Sequence, residues 1–232
     1  MSEQTPSTKG PVGVPIVESA SGAVPPAGSS RGFTRTGEEV LHVGHVITLA
    51  RATFEGPAGE IMERDVVHHP GAVAVVAIDG DDVVLVDQYR PVLERQMLEL
   101  PAGKLDVPGE DRLTAARREL VEEAGYDAPD MVELGSFHNS IGFCDEHTTI
   151  YLATELVPAT PVAVSIEEEY LTVERVPLDG VEALIANGTI TDAKTVIGLL
   201  WTLRRLGCCA ASAGRITCSS AWVGFYWWMG GL

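Results

Sequence analysis

Basic residues and cysteines are scarce in this chain, and long apolar runs are absent. Its 232 residues include 16 Lys or Arg against 33 Asp or Glu, which gives a net charge of −17. Recognition of nucleic acid relies on clustered Lys and Arg that contact phosphates, so this balance excludes nucleic acid as a main partner. A membrane-spanning helix needs about 20 consecutive apolar residues, and the lack of such a run predicts no membrane partner.

The cysteines predict no disulfide framework. There are four, Cys144, Cys208, Cys209 and Cys218, and no C-x-x-C pair occurs among them. The N-terminus lacks the basic region followed by an apolar core that is typical of a secretory signal. These two observations predict a protein of the reducing cytoplasm.

Changes in composition divide the chain into four segments. Residues 1–36 are rich in Pro, Gly, Ser and Ala and are predicted to be a disordered tail. A small N-terminal β subdomain is expected over residues 37–68, followed by a larger domain over 69–206. Residues 207–232 form an atypical C-terminal tail that is poor in charge but holds three of the cysteines and several aromatic residues.

Apolar periodicity predicts an α/β architecture. Residues 39–54 and 61–68 are predicted as strands, joined by a GPAGE turn. The runs AVAVVAID (72–79) and DVVLVDQY (82–89) are predicted to form a buried hairpin around Gly80-Asp81. The remaining predicted elements are strands at 96–102, 131–137, 148–156 and 171–178 and helices at 111–124, 180–186 and 192–206. Strands interleaved with helices favour a layered α/β fold.

The helix predicted at 111–124 carries the strongest chemical signal. Glu119, Glu122 and Glu123 are related by i, i+3 and i+4, so their carboxylates crowd one side of the helix. Like charges at this spacing repel unless a cation lies between them. Mg²⁺ suits such a site because it prefers oxygen ligands and binds through one or two carboxylates together with waters and substrate phosphates.

The wider segment resembles a known catalytic motif. Residues 103–126 read GKLDVPGEDRLTAARRELVEEAGY, similar to the Nudix box G-x5-E-x7-R-E-U-x-E-E-x-G-U, where U is bulky and apolar. Six residues rather than five separate Gly103 from Glu110, and the extra residue falls in the turn before the helix. Together with GAVAVVAID and VDQYRPVLERQMLELPAGKLD, the box resembles the ADP-ribose pyrophosphatase branch of the Nudix hydrolases. The resemblance implies an α/β/α sandwich with a mixed sheet, preceded by a small N-terminal antiparallel sheet.

The resemblance also implies roles for residues of the box. Glu119, Glu123 and the backbone carbonyl of Ala102 would hold Mg²⁺, with Mn²⁺ as the alternative cation. Glu122 would be either a further ligand or an orienting group. Arg118 would brace the glutamates through charged hydrogen bonds, and Glu110 would assist at the edge of the metal site.

Outside the box, the resemblance implies three residues that contact substrate. Arg90 would hold a phosphate or ribose, and Arg64 would play a similar part from the strand before the hairpin. Arginine suits this task because its planar fork binds phosphate oxygens in pairs. Glu146, in the loop IGFCDEH, would contact substrate or metal.

A general base is expected in the acidic triplet before the strand at 171–178. Glu167 matches the family best, with Glu168 or Glu169 as the alternative. The implied reaction is Mg²⁺-dependent hydrolysis of ADP-ribose to AMP and ribose 5-phosphate, in a homodimer with swapped N-terminal sheets. The alternatives are hydrolysis of another nucleoside diphosphate derivative, such as a sugar nucleotide or an oxidised nucleotide, and a ligand-sensing module without catalysis.

Overall fold

The computed structural model describes residues 30, 32–160 and 169–207. The chain divides into two compact units. One comprises the described residues up to Glu38 together with Ala52–Arg64, and the other comprises Glu39–Arg51 together with the described residues from Asp65 onward. Among the described helices, none is long and apolar enough to cross a membrane.

The N-terminal segment forms three strands rather than the two predicted from the sequence. They are β1 (Thr34–Val43), β2 (Thr48–Glu55) and β3 (Ile61–His68), and they form one sheet in that order. The single strand predicted over 39–54 is wrong because the chain turns in its middle, where the Gly44 amide donates to the Ile47 carbonyl at 2.8 Å. The turn predicted at GPAGE is confirmed by the 2.7 Å hydrogen bond from the Gly56 amide to the Glu60 carbonyl.

The first strand also begins earlier than expected. Residues 34–36, which composition assigned to the disordered tail, belong to β1, and the Thr36 hydroxyl donates to the Thr53 carbonyl at 3.3 Å. Of the two tails, residues 1–29, 31 and 208–232 lie outside the described residues. The predicted domain boundaries at residues 68 and 206 stay predictions.

A seven-stranded mixed sheet forms the centre of the second unit. Its strands are β4 (Ala72–Asp79), β5 (Asp82–Arg90), β6 (Arg95–Glu99), β7 (Ala102–Lys104), β9 (Met131–His138), β10 (His147–Ala153) and β12 (Thr172–Pro177). The main path runs β12-β5-β4-β10-β9, while β6 pairs with β5 and β7 with β4. Only the β4–β10 pairing is parallel among these described pairs. Two strands too short for periodicity to predict, β8 (Tyr126–Asp127) and β11 (Val157–Pro158), pair separately.

The sheet has a hydrophobic core on each face. The helices are α1 (Arg112–Ala124), α2 (Val181–Ala186) and α3 (Ala193–Arg205). Alternate residues of β4 point to opposite faces. Val73 and Val75 therefore pack in one cluster with α1, while Ala74 and Val76 pack in another with α2 and α3. Strands covered on both faces are apolar along most of their length, as β4 is up to Ile78, and the predicted α/β/α sandwich is confirmed.

Helical spacing predicts that α3 buries Val196, Leu199, Leu200 and Leu203, and the structure departs from this most clearly at Leu200. Of the residues expected inside, Leu199 and Leu203 are buried, but Leu200 is 39% exposed. Gly198 also faces the sheet: a Cβ added to it would lie 2.7 Å from the Leu100 side chain. The absence of a side chain at Gly198 therefore lets the helix approach the sheet closely beside the buried Leu199.

Candidate active site

Local interactions place the box helix where the sequence predicts it. Asp111 is its N-cap, and its carboxylate accepts from the amides of Leu113 and Thr114, each at 3.0 Å. Gly125 ends the helix with φ 68°, a left-handed conformation that favours glycine. Helical spacing predicts an apolar face on the same helix, and all four of its members are buried: Ala115, Ala116, Leu120 and Ala124.

Arg118 gathers three glutamates of the box around one guanidinium. Its Nε and Nη2 donate to the two oxygens of Glu110 at 3.1 and 3.0 Å. Its Nη1 donates to Glu119 at 2.6 Å and to Glu122 at 2.9 Å. The hydrogen bonds to Glu110 contribute most to raising the pKa of Arg118, against the opposing effect of its partial burial. A permanent positive charge therefore holds three carboxylates that would otherwise repel one another.

Gly103 makes room for the Glu119 carboxylate. A Cβ built on this glycine would lie 1.9 Å from the Glu119 carboxyl carbon and 2.0 and 2.4 Å from its oxygens. The glycine of the box is thus required by a close approach between strand β7 and helix α1. The extra residue noted between Gly103 and Glu110 lies in the loop before the helix.

Glu123 is the buried acid of the site. It is 9% exposed, and its Oε2 accepts from the Ala102 amide at 2.8 Å. Its pKa is raised to about 8: burial is the largest effect and the nearby Glu119 adds to it, while the Ala102 amide, Arg90 and Lys194 act in the opposite direction. Without a cation this carboxyl group is therefore mostly protonated at neutral pH.

The donor set suits a hard divalent cation. Glu119 and Glu123 both approach the Ala102–Gly103 backbone, and a buried carboxyl with a raised pKa is one that a cation would favour in its charged form. In the described part of the chain, no group of three or more His, Cys, Asp or Glu side chains is already arranged as a metal site. In this arrangement Arg118 donates hydrogen bonds to oxygens of Glu119 and Glu122.

Arg90 belongs to an ion cluster that the sequence did not predict. Its Nε and Nη2 donate to the two oxygens of Glu99 at 2.6 and 2.7 Å. Lys194 also contacts Glu99, and its Nζ lies 3.0 Å from Asp192. Glu99 is 2% exposed. The available signal was an acid within the apolar run Met97–Leu100, where a buried carboxylate demands a partner.

The loop that carries Glu146 docks on the end of β3. The Val67 amide donates to the Phe143 carbonyl at 2.7 Å, and the Asp145 amide donates back to Val67 at 3.1 Å. Asp145 also lies 2.5 Å from Nδ1 of His68. The Glu146 carboxylate lies 3.9 Å from Nδ1 of His69, within the same loop contact. The substrate or metal contact of Glu146 stays a prediction.

Two predicted site residues belong to the other compact unit or lie outside the described residues. Arg64 is exposed on β3, and its Nη1 donates to the carbonyl of Glu63 at 2.7 Å. Glu167 and Glu168, the first two acids of the predicted base segment, lie outside the described residues. Glu169 is described and exposed.

Comparison with known proteins identifies relatives of this chain. A family model described as NUDIX domain matches residues 68–196. The chain is 41% identical over 162 residues to the methanol dehydrogenase activator of Bacillus methanolicus, covering 69% of this chain and 87% of that protein. It is 38% identical over 163 residues to the ADP-ribose pyrophosphatase of Bacillus subtilis (strain 168), covering 70% and 88%.

A solved structure shares the fold. The crystal structure of an ADP compounds hydrolase superposes with a TM-score of 0.69 at 24% identity, covering 78% of this chain and 97% of that one. The matched span of the family model includes α1, the Arg118 cluster and the Arg90–Glu99 pair. The chain therefore belongs to the NUDIX domain family, as its box and its α/β/α sandwich both indicate.

Proposed function

We propose that the protein hydrolyses the diphosphate bond of ADP-ribose in the presence of Mg²⁺, releasing AMP and ribose 5-phosphate. The observation that carries this proposal is the approach of Glu119 and Glu123 to one strand backbone, with Arg90 close enough to favour the ionised form of Glu123. The similarity to the Bacillus subtilis ADP-ribose pyrophosphatase supports the choice of substrate.

Each residue of the site has a task in this reaction. Glu119, Glu123 and the Ala102 carbonyl would hold Mg²⁺, or Mn²⁺ in its place. A bound divalent cation would neutralise diphosphate charge and lower the pKa of an attacking water. Arg118 keeps the glutamates of the helix in place, and Arg90 holds phosphate oxygens through the guanidinium donors that Glu99 does not engage. Glu167 accepts a proton from the attacking water. The oxygen of that water bonds to phosphorus while the bridging P–O bond breaks.

A substrate panel tests the function directly. The purified chain is incubated with Mg²⁺ and, separately, ADP-ribose, a sugar nucleotide, an oxidised nucleotide and ATP, and the products are identified by mass. ADP-ribose should react fastest and give AMP, and EDTA should abolish the reaction until Mg²⁺ is added back. Faster hydrolysis of the sugar nucleotide or the oxidised nucleotide would assign the other substrate class. Binding of ADP-ribose without any hydrolysis would favour a sensing module.

Replacement of the proposed base should affect rate rather than binding. Glu167→Gln should lower kcat by about 10²–10⁴-fold with little change in KM, because a general base acts in the transition state. Glu168→Gln and Glu169→Gln are the matched controls, and both should remain near the wild-type rate. A large loss in either control, with Glu167→Gln near normal, would move the base along the chain.

We also propose a homodimer of cytoplasmic location in which the sheet β1–β3 is shared between subunits. All ten residues of β1 are exposed, including apolar Val40 and Val43 at 56% and 71%, and an exposed apolar strand favours association. Arg64 of one subunit would then reach the substrate bound by its partner. Sedimentation at equilibrium should give a dimer, and Val43→Glu should yield monomers with little activity. A fully active monomer would contradict the shared site.

A further inference from the structure

Glu99 is a buried carboxylate held between two cations. Arg90 binds it through a bidentate contact, with hydrogen bonds of 2.6 and 2.7 Å. Lys194 contacts Oε2 of Glu99, which also accepts the hydrogen bond from Nη2 of Arg90. Burial opposes its ionisation, but the hydrogen bond from Arg90 and the charge of Lys194 outweigh burial and hold the pKa of Glu99 below its ordinary value. The fork of Arg90 would by itself satisfy the charge of Glu99, so the second cation calls for a separate explanation.

Lys194 is itself fixed by the N-terminus of α3. Asp192, the N-cap, accepts from the amide and hydroxyl of Thr195 at 3.0 and 2.7 Å and lies 3.0 Å from Lys194 Nζ. The Thr195 hydroxyl also accepts from the Leu100 amide at 3.0 Å. Helix α3 is thus joined twice to the end of strand β6, once at the Leu100 backbone and once at the Glu99 side chain.

This double connection fixes the orientation of the Arg90 guanidinium. The plane of the fork follows the plane of the Glu99 carboxylate, because two parallel hydrogen bonds join them. With Nε and Nη2 engaged, Nη1 has no hydrogen-bond partner among the described residues, and the Arg90 side chain is 40% exposed. The donors left over therefore point away from Glu99 and are available to an anionic ligand.

Charge balance gives Lys194 a second effect. The cluster contains two carboxylates, Glu99 and Asp192, and two cations, Arg90 and Lys194. Without Lys194 the cluster would carry a net negative charge beside the place where a diphosphate is proposed to bind, and Arg90 would be drawn more fully toward its own carboxylate. Both effects would weaken the binding of an anionic substrate.

We propose that Lys194 is a positioning residue that, through Glu99, orients Arg90 toward substrate phosphate. This inference rests on the proposed function. Lys194 does not touch substrate in this scheme; it keeps the buried carboxylate in the one orientation that leaves Nη1 of Arg90 available.

A double-mutant cycle on the full chain tests the coupling. Steady-state kinetics with ADP-ribose and Mg²⁺ are measured for the wild type, Lys194→Met, Arg90→Met and the double variant. Lys194→Met should raise KM about tenfold with a smaller change in kcat, which is within the range for residues that act through a shared partner. In the Arg90→Met background, the same change should alter KM by less than about twofold.

Three further variants separate positioning from general stability. Lys194→Arg keeps the charge and should recover most of the affinity. Lys194→Gln replaces Lys194→Met in the cycle if thermal unfolding shows that the latter is not folded. Arg175→Met on β12 is the matched control, because it removes an exposed cation that is paired with Asp79 and Asp82, and it should leave KM unchanged.

The outcomes distinguish the two levels of the proposal. Effects of Lys194→Met and Arg90→Met that multiply in the double variant would show independent action and overturn the inference while leaving the function intact. A normal KM for Arg90→Met would also overturn it. Wild-type protein that fails to hydrolyse ADP-ribose would instead overturn the proposed function, and the role of Lys194 would fall with it.

Discussion

Replacing Glu123 by Gln should lower the turnover of ADP-ribose by about 100-fold or more, since the cation held by this carboxylate would supply several kcal/mol of charge stabilisation. The amide side chain has nearly the same shape and can still accept from the Ala102 amide, which now lies 2.8 Å from Glu123. The loss should therefore come from the missing charge and not from a changed fold. Activity is measured across a range of Mg²⁺ concentrations, so that weaker metal binding is separated from a slower reaction.

The same replacement should stabilise the metal-free protein at alkaline pH. The pKa of Glu123 rises from 4.5 to about 8 on folding, so the proton adds stability that is fully present below pH 4.5 and is lost as pH rises through 8. Glu123→Gln lacks this titration. In EDTA its free energy of unfolding should exceed that of the wild type at pH 8.5 by a few kcal/mol, on the order of 2–3. At pH 4 the two proteins should differ little.

Chemical unfolding at the two pH values measures this difference. Glu182→Gln, on the exposed side of α2, is the control and should change neither turnover nor the pH dependence of stability. Near-normal turnover of Glu123→Gln in Mg²⁺ would show that the metal-site assignment is wrong. Equal pH dependence in wild type and variant would show that the buried carboxyl does not titrate near pH 8.

Loss of the Arg118 cation should be the second large effect. The Arg118 nitrogens lie 2.6–3.1 Å from carboxylate oxygens of Glu110, Glu119 and Glu122. Arg118→Met removes the positive charge that holds these three carboxylates together. The variant should lose ~2 kcal/mol of stability, less than for a fully buried pair because Arg118 retains contact with solvent. Turnover should fall by about 100-fold or more, because displaced glutamates no longer present their oxygens together.

Arg117 provides a matched control for this experiment. It is the adjacent residue of α1 and lies on the exposed side of the helix. It forms a bidentate ion pair with Asp127, with hydrogen bonds of 2.9 and 2.8 Å. Arg117→Met should retain near-normal turnover. Arg118→Lys should recover only part of the activity, since a single ammonium cannot reproduce the four hydrogen bonds of the fork. Equal losses in Arg117→Met and Arg118→Met would contradict a special role for Arg118.

Much of the box could be predicted because its determinants are local. The Asp111 cap, the left-handed Gly125 and the apolar face of α1 depend on residues within a few positions of one another, so the sequence predicts the helix and its ends. The i, i+3 and i+4 spacing likewise places three glutamates on one side of the helix. The hairpin of β4 and β5 was predicted for the same reason, with Gly80 at φ 64° in its turn.

Long-range packing decided the rest of the site. The contacts of Glu99 with Lys194 and of Leu100 with Thr195 each join residues 95 positions apart, and nothing in the local pattern announces them. The protonation of Glu123 also depends on its burial between α1 and β7. Apolar periodicity marks position 123 only as polar and does not predict that it is buried. Helical spacing predicts that Leu200 is buried, whereas in the structure Gly198 and Leu199 face the sheet and Leu200 is exposed.

The sequence by itself determined which groups carry the chemistry, because residue types and helical spacing specify a carboxylate cluster and the arginines around it. Only the tertiary structure decided the state of those groups. Arg118 is shared by three glutamates, Glu123 favours its proton in the absence of a cation, and Arg90 is oriented by a carboxylate that α3 holds in place. Charge state and orientation depend on burial and on partners brought together by the sheet, and these are set by the packed fold and not by neighbours in the chain.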